Sequence, residues 1–192
     1  MQLEKGQFKT VKELEEYMAQ FIEGSFGQED MEVLKYEVEK LKPGQVYLEI
    51  GVAQGKSLTT AYHFSKPGVF TIGIDYLDPT LRGEFMNMTL GDIPHGNSII
   101  GKGTDCIYIH ADARTVSKLW NIPINLLFID GGHDYESIKA DTLEYMPHVV
   151  KGGTILLHDY DGQNADGVPK WIDEKFPHAE ILHGKIARVR CE

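Results

Sequence analysis

The chain has 192 residues, 42% hydrophobic and 25% charged, with a net charge of −10, which gives room for one globular domain with a proper core and little left for a second. No apolar run nears the length of about 18 residues that spans a bilayer, and Met1-Gln2-Leu3-Glu4-Lys5-Gly6 lacks the basic start and apolar stretch of a secretion signal, so a cytoplasmic setting without a membrane partner is expected. The acidic balance, with no dense Lys/Arg block, repels phosphate backbones and argues against a nucleic-acid partner.

Thr10-Val11-Lys12-Glu13 fits a capping box, and Leu14, Met18, Phe21 and Ile22 follow at helical spacing until Gly24. A second helical pattern runs from about Glu29 to Leu41, with Met31, Leu34, Val38 and Leu41 on one stripe, and Pro43-Gly44 stops it. Residues 1–44 are thus expected as a helical segment ahead of a core over 45–192. From residue 46 short apolar runs alternate with helical stretches, the pattern of βαβ units. The runs are Val46–Ile50, Val69–Ile74, Cys106–Ile109, Leu126–Ile129 and Thr154–Leu157, continuous as in strands covered on both faces. Residues 78–104 form a long glycine-rich connection, in which Phe85, Met86 and Met88 either wall a substrate pocket or pin the loop to the core. Glu180–Leu182 and Ile186–Val189, separated by His183-Gly184-Lys185, read as a closing hairpin. Cys106 and Cys191 form no CxxC pattern and are read as two reduced thiols.

The strand ends carry acids: Glu49 at the first, Asp75 at the second, Asp112 after the third, Asp130 after the fourth and Asp159 after the fifth. In open α/β sheets the ligand lies at the carboxyl ends of the strands. Acids delivered there suit hydroxyls, positive charge or a metal. The first strand runs into Glu49-Ile50-Gly51-Val52-Ala53-Gln54-Gly55-Lys56-Ser57. A phosphate-binding P-loop needs four residues between its glycines, and Gly51 and Gly55 enclose only three. A dinucleotide turn needs glycine at the positions held by Ala53 and Lys56. S-adenosylmethionine carries no phosphate; it needs close backbone approach at such a turn and carboxylates for its ribose and cations. Asp75, 24 residues after Gly51, stands where a ribose diol would be accepted.

Leu48–Ser57, Gly73–Tyr76, Ile109–Ala113 and above all the run from Leu127 to Tyr160, with Asp-Gly-Gly-His-Asp-Tyr at 130–135 and His-Asp-Tyr at 158–160, resemble the class I S-adenosylmethionine-dependent methyltransferases. The closest likeness is to small bacterial members similar to methyltransferase family 24 and the catechol and macrocin-type O-methyltransferases. The resemblance implies a Rossmann-like, doubly wound, mostly parallel α/β sheet of seven strands ending in the antiparallel hairpin. It implies that Glu49, Gly51, Gly55 and Ser57 line the methionine end of the cofactor, that Asp75 holds the ribose, and that Asp112 with Ala113 lies near the adenine. Asp130 would sit below the methyl group, and Val52, Ala53 and Tyr76 complete the expected cofactor-binding set.

Asp130 and Asp159 end neighbouring strands and could share Mg²⁺, which is commonly held by two carboxylates and waters; the alternative is that Asp159 caps a turn. Tyr160 stands where catechol-type relatives carry an amide ligand. His133, three residues after Asp130, is either the base that takes the acceptor's proton or a loop-bridging histidine. His158 is expected to pack and hydrogen-bond, Tyr135, Ile138, Tyr145 and Met146 to form a buried helix face, and Lys56 to be solvated. The expected function is methylation of a small molecule, at a hydroxyl, by an enzyme of class 2.1.1; the alternative is a binding module or scaffold that keeps the cofactor pocket without turnover. The expected partner is a small-molecule acceptor, with a homodimer left open.

Overall fold

The computed structural model describes residues 5–20, 26–76, 98–102, 105–163 and 166–192. Two helices open the chain. Helix α1 (Val11–Met18) starts at the capping box read from the sequence: the Glu13 amide donates to Thr10 Oγ1 at 3.2 Å and the Thr10 amide to Glu13 Oε2 at 3.1 Å. Helix α2 (Gln28–Val38) is capped by Asp30, whose Oδ2 accepts from the Gly27 amide at 2.9 Å. Its stripe of Met31, Leu34 and Val38 is fully buried against α1 and against α3 (Lys56–Phe64). Phe21, Ile22 and Gly24 lie outside the described residues.

The core strands are β1 (Val46–Ile50), β2 (Phe70–Asp75), β4 (Cys106–His110), β5 (Ile124–Ile129) and β6 (Val149–Leu157), all mutually parallel in the order β4-β2-β1-β5-β6. The closing hairpin of β7 (Glu180–Leu182) and β8 (Ile186–Arg190) forms as expected, with β8 antiparallel to β6. His183 and Gly184 both have positive φ, and the Lys185 amide bonds Leu182 O at 3.1 Å, a type I′ turn matched to strand twist. All seven apolar runs are strands. An eighth, β3 (Ser98–Lys102), lies inside the connection read as a loop and pairs antiparallel with β4 at the opposite edge. Its apolar signal is only Ile99-Ile100 among glycines, so pairing rather than local pattern makes it a strand. Phe85, Met86 and Met88 lie outside the described residues.

Successive β1 residues serve opposite faces: Tyr47 packs with α1–α3, and Leu48 with the helices behind. Those are α4 (Ala113–Ser117), α5 (Tyr135–Tyr145) and α6 (Gly167–Lys175), with Ile138, Tyr145, Trp171 and Ile172 buried against Leu127, Ile129, Ile155 and Leu157. Ile138 and Tyr145 thus form the buried helix face expected of them, with Tyr135 and Met146 partly buried beside them. Neither cysteine is in a disulfide. Among the described residues no helix is long and apolar enough to cross a membrane. Strand order reverses between β1 and β5, which places a crevice outside the carboxyl ends of those two strands.

Candidate active site

That crevice holds a cavity of about 490 Å³, lined in part by Gly51, Ala53, Asp75, Tyr76, Asp112, Ala113, Asp130 and His133. The turn after β1 shapes one wall. Gly51, Ala53 and Gly55 all have positive φ, at 85°, 45° and 88°. A side chain at Gly51 would put Cβ 2.2 Å from the Asp130 carbonyl oxygen, so the ends of β1 and β5 approach here as only glycine allows. Asp75 ties the turn down: its Oδ2 accepts from the amides of Val52 at 2.7 Å and Ala53 at 2.6 Å. Asp75 lines the cavity as well.

Glu49 and Ser57 lie beneath the turn instead of on the cavity wall. Glu49 is fully buried, and its carboxyl accepts from Tyr47 Oη and from Ser57 Oγ, each at 2.5 Å. Tyr47 shares its side of the strand with Glu49, and Ser57 reaches it from the first turn of α3. Burial pushes the Glu49 carboxyl up from 4.5 to about 8, more than the two hydroxyls can offset. The folded protein therefore keeps a proton that the unfolded chain releases above its ordinary carboxylate range. Stability should fall as pH rises from about 4.5 to 8, with a slope approaching about 1.4 kcal/mol per pH unit from this group. Glu49→Gln should flatten that slope in denaturant titrations across the window. Parallel curves for the two proteins would show that the carboxyl is ionised throughout.

The carboxyl ends of β5 and β6 bring together a second group of polar side chains. Asp130, His133 and Asp159 each offer a ligand atom within 4.8 Å of the others. His133 Nε2 lies 3.1 Å from Asp159 Oδ2. Asp159 has φ 58°, a left-handed conformation that aspartate tolerates better than most residues. Behind them His158 is 4% exposed, between Phe26 and Phe128. Its Nδ1 is 3.3 Å from both Asp130 Oδ1 and Asp159 Oδ2, and its Nε2 is 3.6 Å from Asp30 Oδ2 on α2. These are ion-pair contacts, short of good hydrogen-bond geometry. Burial alone would lower the ring's pKa, but three carboxylates outweigh it and hold it at about 12. Burial pushes the Asp130 carboxyl up, and His158 pulls it back. Tyr160 turns away from this cluster and donates to Asp173 on α6 at 2.9 Å.

The sequence profile of the methyltransferase domain family matches residues 48–160, more than half of the chain. The chain belongs to that family. An uncharacterized protein of Acanthamoeba polyphaga mimivirus is 29% identical over 159 residues, 79% of this chain and 67% of its own. Among solved structures, apo CalS11, a TDP-rhamnose 3'-O-methyltransferase of calicheamicin biosynthesis, aligns with a TM-score of 0.59 at 19% identity, over 83% of this chain and 76% of its own. The MycE methyltransferase of the mycinamycin pathway, in complex with Mg and S-adenosylhomocysteine, aligns with a TM-score of 0.64 at 13% identity. That match covers 97% of this chain and 56% of MycE. At such identities the likeness is one of fold.

Within this methyltransferase domain, the residues singled out in the sequence divide by position. Gly51, Ala53, Asp75, Tyr76, Asp112, Ala113, Asp130 and His133 face the cavity; Glu49, Val52, Gly55 and Ser57 support it from below or behind. Asp159 stands at its margin through His133. Asp112 also caps α4, accepting from the Thr115 amide at 3.0 Å. Lys56 is not solvated as expected: it lies against α1, 3.6 Å from Glu15 and mostly buried. The sequence reading missed Arg114, Ser137 and Asp141, which also line the cavity. Ser137 and Asp141 stand one helical turn apart, in register with Tyr145, and that spacing is the signal that could have found them.

Proposed function

We propose that this methyltransferase domain is an S-adenosylmethionine-dependent enzyme that methylates a small molecule at a hydroxyl. The observation that carries the reading is the cavity at the sheet's switch point, with a turn free of Cβ at Gly51 and acids from the ends of β2, β4 and β5. The lining suits a cationic, phosphate-free ligand: Asp75, Asp112 and Asp130 face it, whereas a phosphate there would meet negative charge. Asp75 would accept from the ribose hydroxyls, Gly51 and Ala53 would let the methionine part approach the backbone, and Asp112 with Ala113 would meet the adenine. Bound S-adenosylmethionine supplies a sulfonium methyl open to displacement by an acceptor oxygen.

The chain's own part in that displacement is positioning and proton transfer. With Nε2 of His133 donating to Asp159, the lone pair would be on Nδ1, which would take the acceptor's proton as its oxygen displaced the sulfonium methyl and the thioether left. Asp159 holds the ring in place. Asp130 and Asp159 together suit a divalent cation such as Mg²⁺, which would make the acceptor hydroxyl easier to deprotonate. His158 already gives this pair one positive charge, which weakens its hold on a metal relative to a bare carboxylate pair.

Calorimetry tests the cofactor reading. S-adenosylhomocysteine should bind, and NAD and ATP should not. Asp75→Ala should lose about 1.5–3 kcal/mol of affinity, roughly ten- to a hundredfold, while still melting cooperatively. Binding of NAD with no response to the adenosyl ligand would end this reading, and unchanged affinity in folded Asp75→Ala would place the ribose elsewhere.

A further inference from the structure

Asp141 is a cavity group that the account above leaves without a task. It is 8% exposed, it faces the cavity, and among the described residues its carboxylate accepts no hydrogen bond and makes no ion pair. A carboxylate removed from water without partners is costly. Burial pushes the carboxyl up to about 6, with Arg114 opposing the shift and Asp112, Asp134 and Glu144 adding repulsion. Near neutral pH it remains an acceptor in want of a donor.

The fold fixes where that acceptor points. Asp134 caps α5 by accepting from the Ser137 amide at 3.0 Å, and Tyr145 Oη ties the helix to Ala113 O at 2.6 Å. Asp141 is one turn before Tyr145, on the same side. It therefore stands by the Asp112–Ala113 stretch, and its Oδ2 would lie 3.2 Å from a Cβ built on Gly131. We propose that Asp141 is a ligand-binding residue that accepts a hydrogen bond from the exocyclic amine of the nucleobase, and so selects adenine over a base bearing a carbonyl at that position. This inference rests on the cofactor reading. An exocyclic amine has two N–H groups, one for Asp112 and one for Asp141. A carbonyl in its place would face two carboxylates and leave both unpaired, the arrangement that discriminates most strongly between analogues.

The test is calorimetry of S-adenosylhomocysteine and S-inosylhomocysteine against the full chain and against Asp141→Asn. The wild type should prefer the adenosyl ligand by on the order of a hundredfold. In Asp141→Asn the side-chain amide can donate to a carbonyl, so adenosyl affinity should fall roughly tenfold, inosyl affinity should rise, and the preference should nearly vanish. The ligand-free variant should melt no lower than the wild type, because the substitution relieves an unpaired carboxylate; a purely structural role would lower the melting temperature. An unchanged preference in Asp141→Asn would overturn the inference while leaving the cofactor reading standing. Failure of the wild type to bind either ligand would overturn both.

Discussion

His158→Leu is expected to destabilise the protein by about 3–5 kcal/mol, the cost of stripping the partner from buried opposite charges. Leucine would fit between Phe26 and Phe128, so lost volume is not the cause. The damage comes from Asp30, Asp130 and Asp159, which would converge on an apolar side chain with no positive charge among them. Asp30 would suffer most: it is 2% exposed, and its Oδ1 already has no hydrogen-bond partner. At two to four degrees per kcal/mol for a chain of this size, the melting temperature should drop by roughly 10 °C. A melt within two or three degrees of wild type would show that the imidazolium is not what holds the three carboxylates.

Gly51→Ala should be nearly as costly, and it should reach the ligand too. Alanine at φ 85° brings about 1–2 kcal/mol of left-handed strain. A Cβ at 2.2 Å from backbone oxygen forces β1 and β5 apart, which adds about 1–3 kcal/mol. Because the displaced backbone is that of Asp130, cavity-ligand affinity should fall on the order of a hundredfold, beyond what stability alone explains. Gly152→Ala is the matched control. It has φ 77° and nothing within 4 Å of a built Cβ, so it should show the strain alone and leave affinity untouched. Equal affinities for Gly51→Ala and Gly152→Ala would mean that the close approach does not shape the binding wall.

The sheet was legible in the sequence because strands covered on both faces must be apolar throughout, and five of the runs are. The glycine turn was legible because its backbone needs residues that tolerate positive φ. The same logic placed the acids at strand ends and so put eight of the expected residues on one cavity. Partnerships across the fold were not legible. Asp30 caps α2 and carried no sequence expectation, because only packing of α2 on the sheet brings it to His158. Glu49 carries the motif's acid, yet Tyr47 and Ser57 turn it inward, which no spacing rule would favour for a charged residue. Lys56 was misread for the same reason, since α1 supplies its partner from a segment with no family pattern. Strand β3 was hidden by its glycines, and Asp141 by a helix read only for its apolar stripe.

The central claim is that the cavity delivers a methyl group to an acceptor held near His133. The most direct test incubates the full chain with methyl-labelled S-adenosylmethionine and a mixed pool of sugar, polyketide and catechol-type hydroxyl compounds, with Mg²⁺ or with excess chelator. Label should pass to an acceptor as an ether methyl, S-adenosylhomocysteine should accumulate in step with it, and His133→Ala should lose most of the rate while binding the cofactor normally. If the cation contributes, chelator should slow turnover and Mg²⁺ restore it. Tight cofactor binding with no S-adenosylhomocysteine formed, or full turnover in His133→Ala, would contradict the account; the first result would mark the domain as a binding module or scaffold instead of an enzyme.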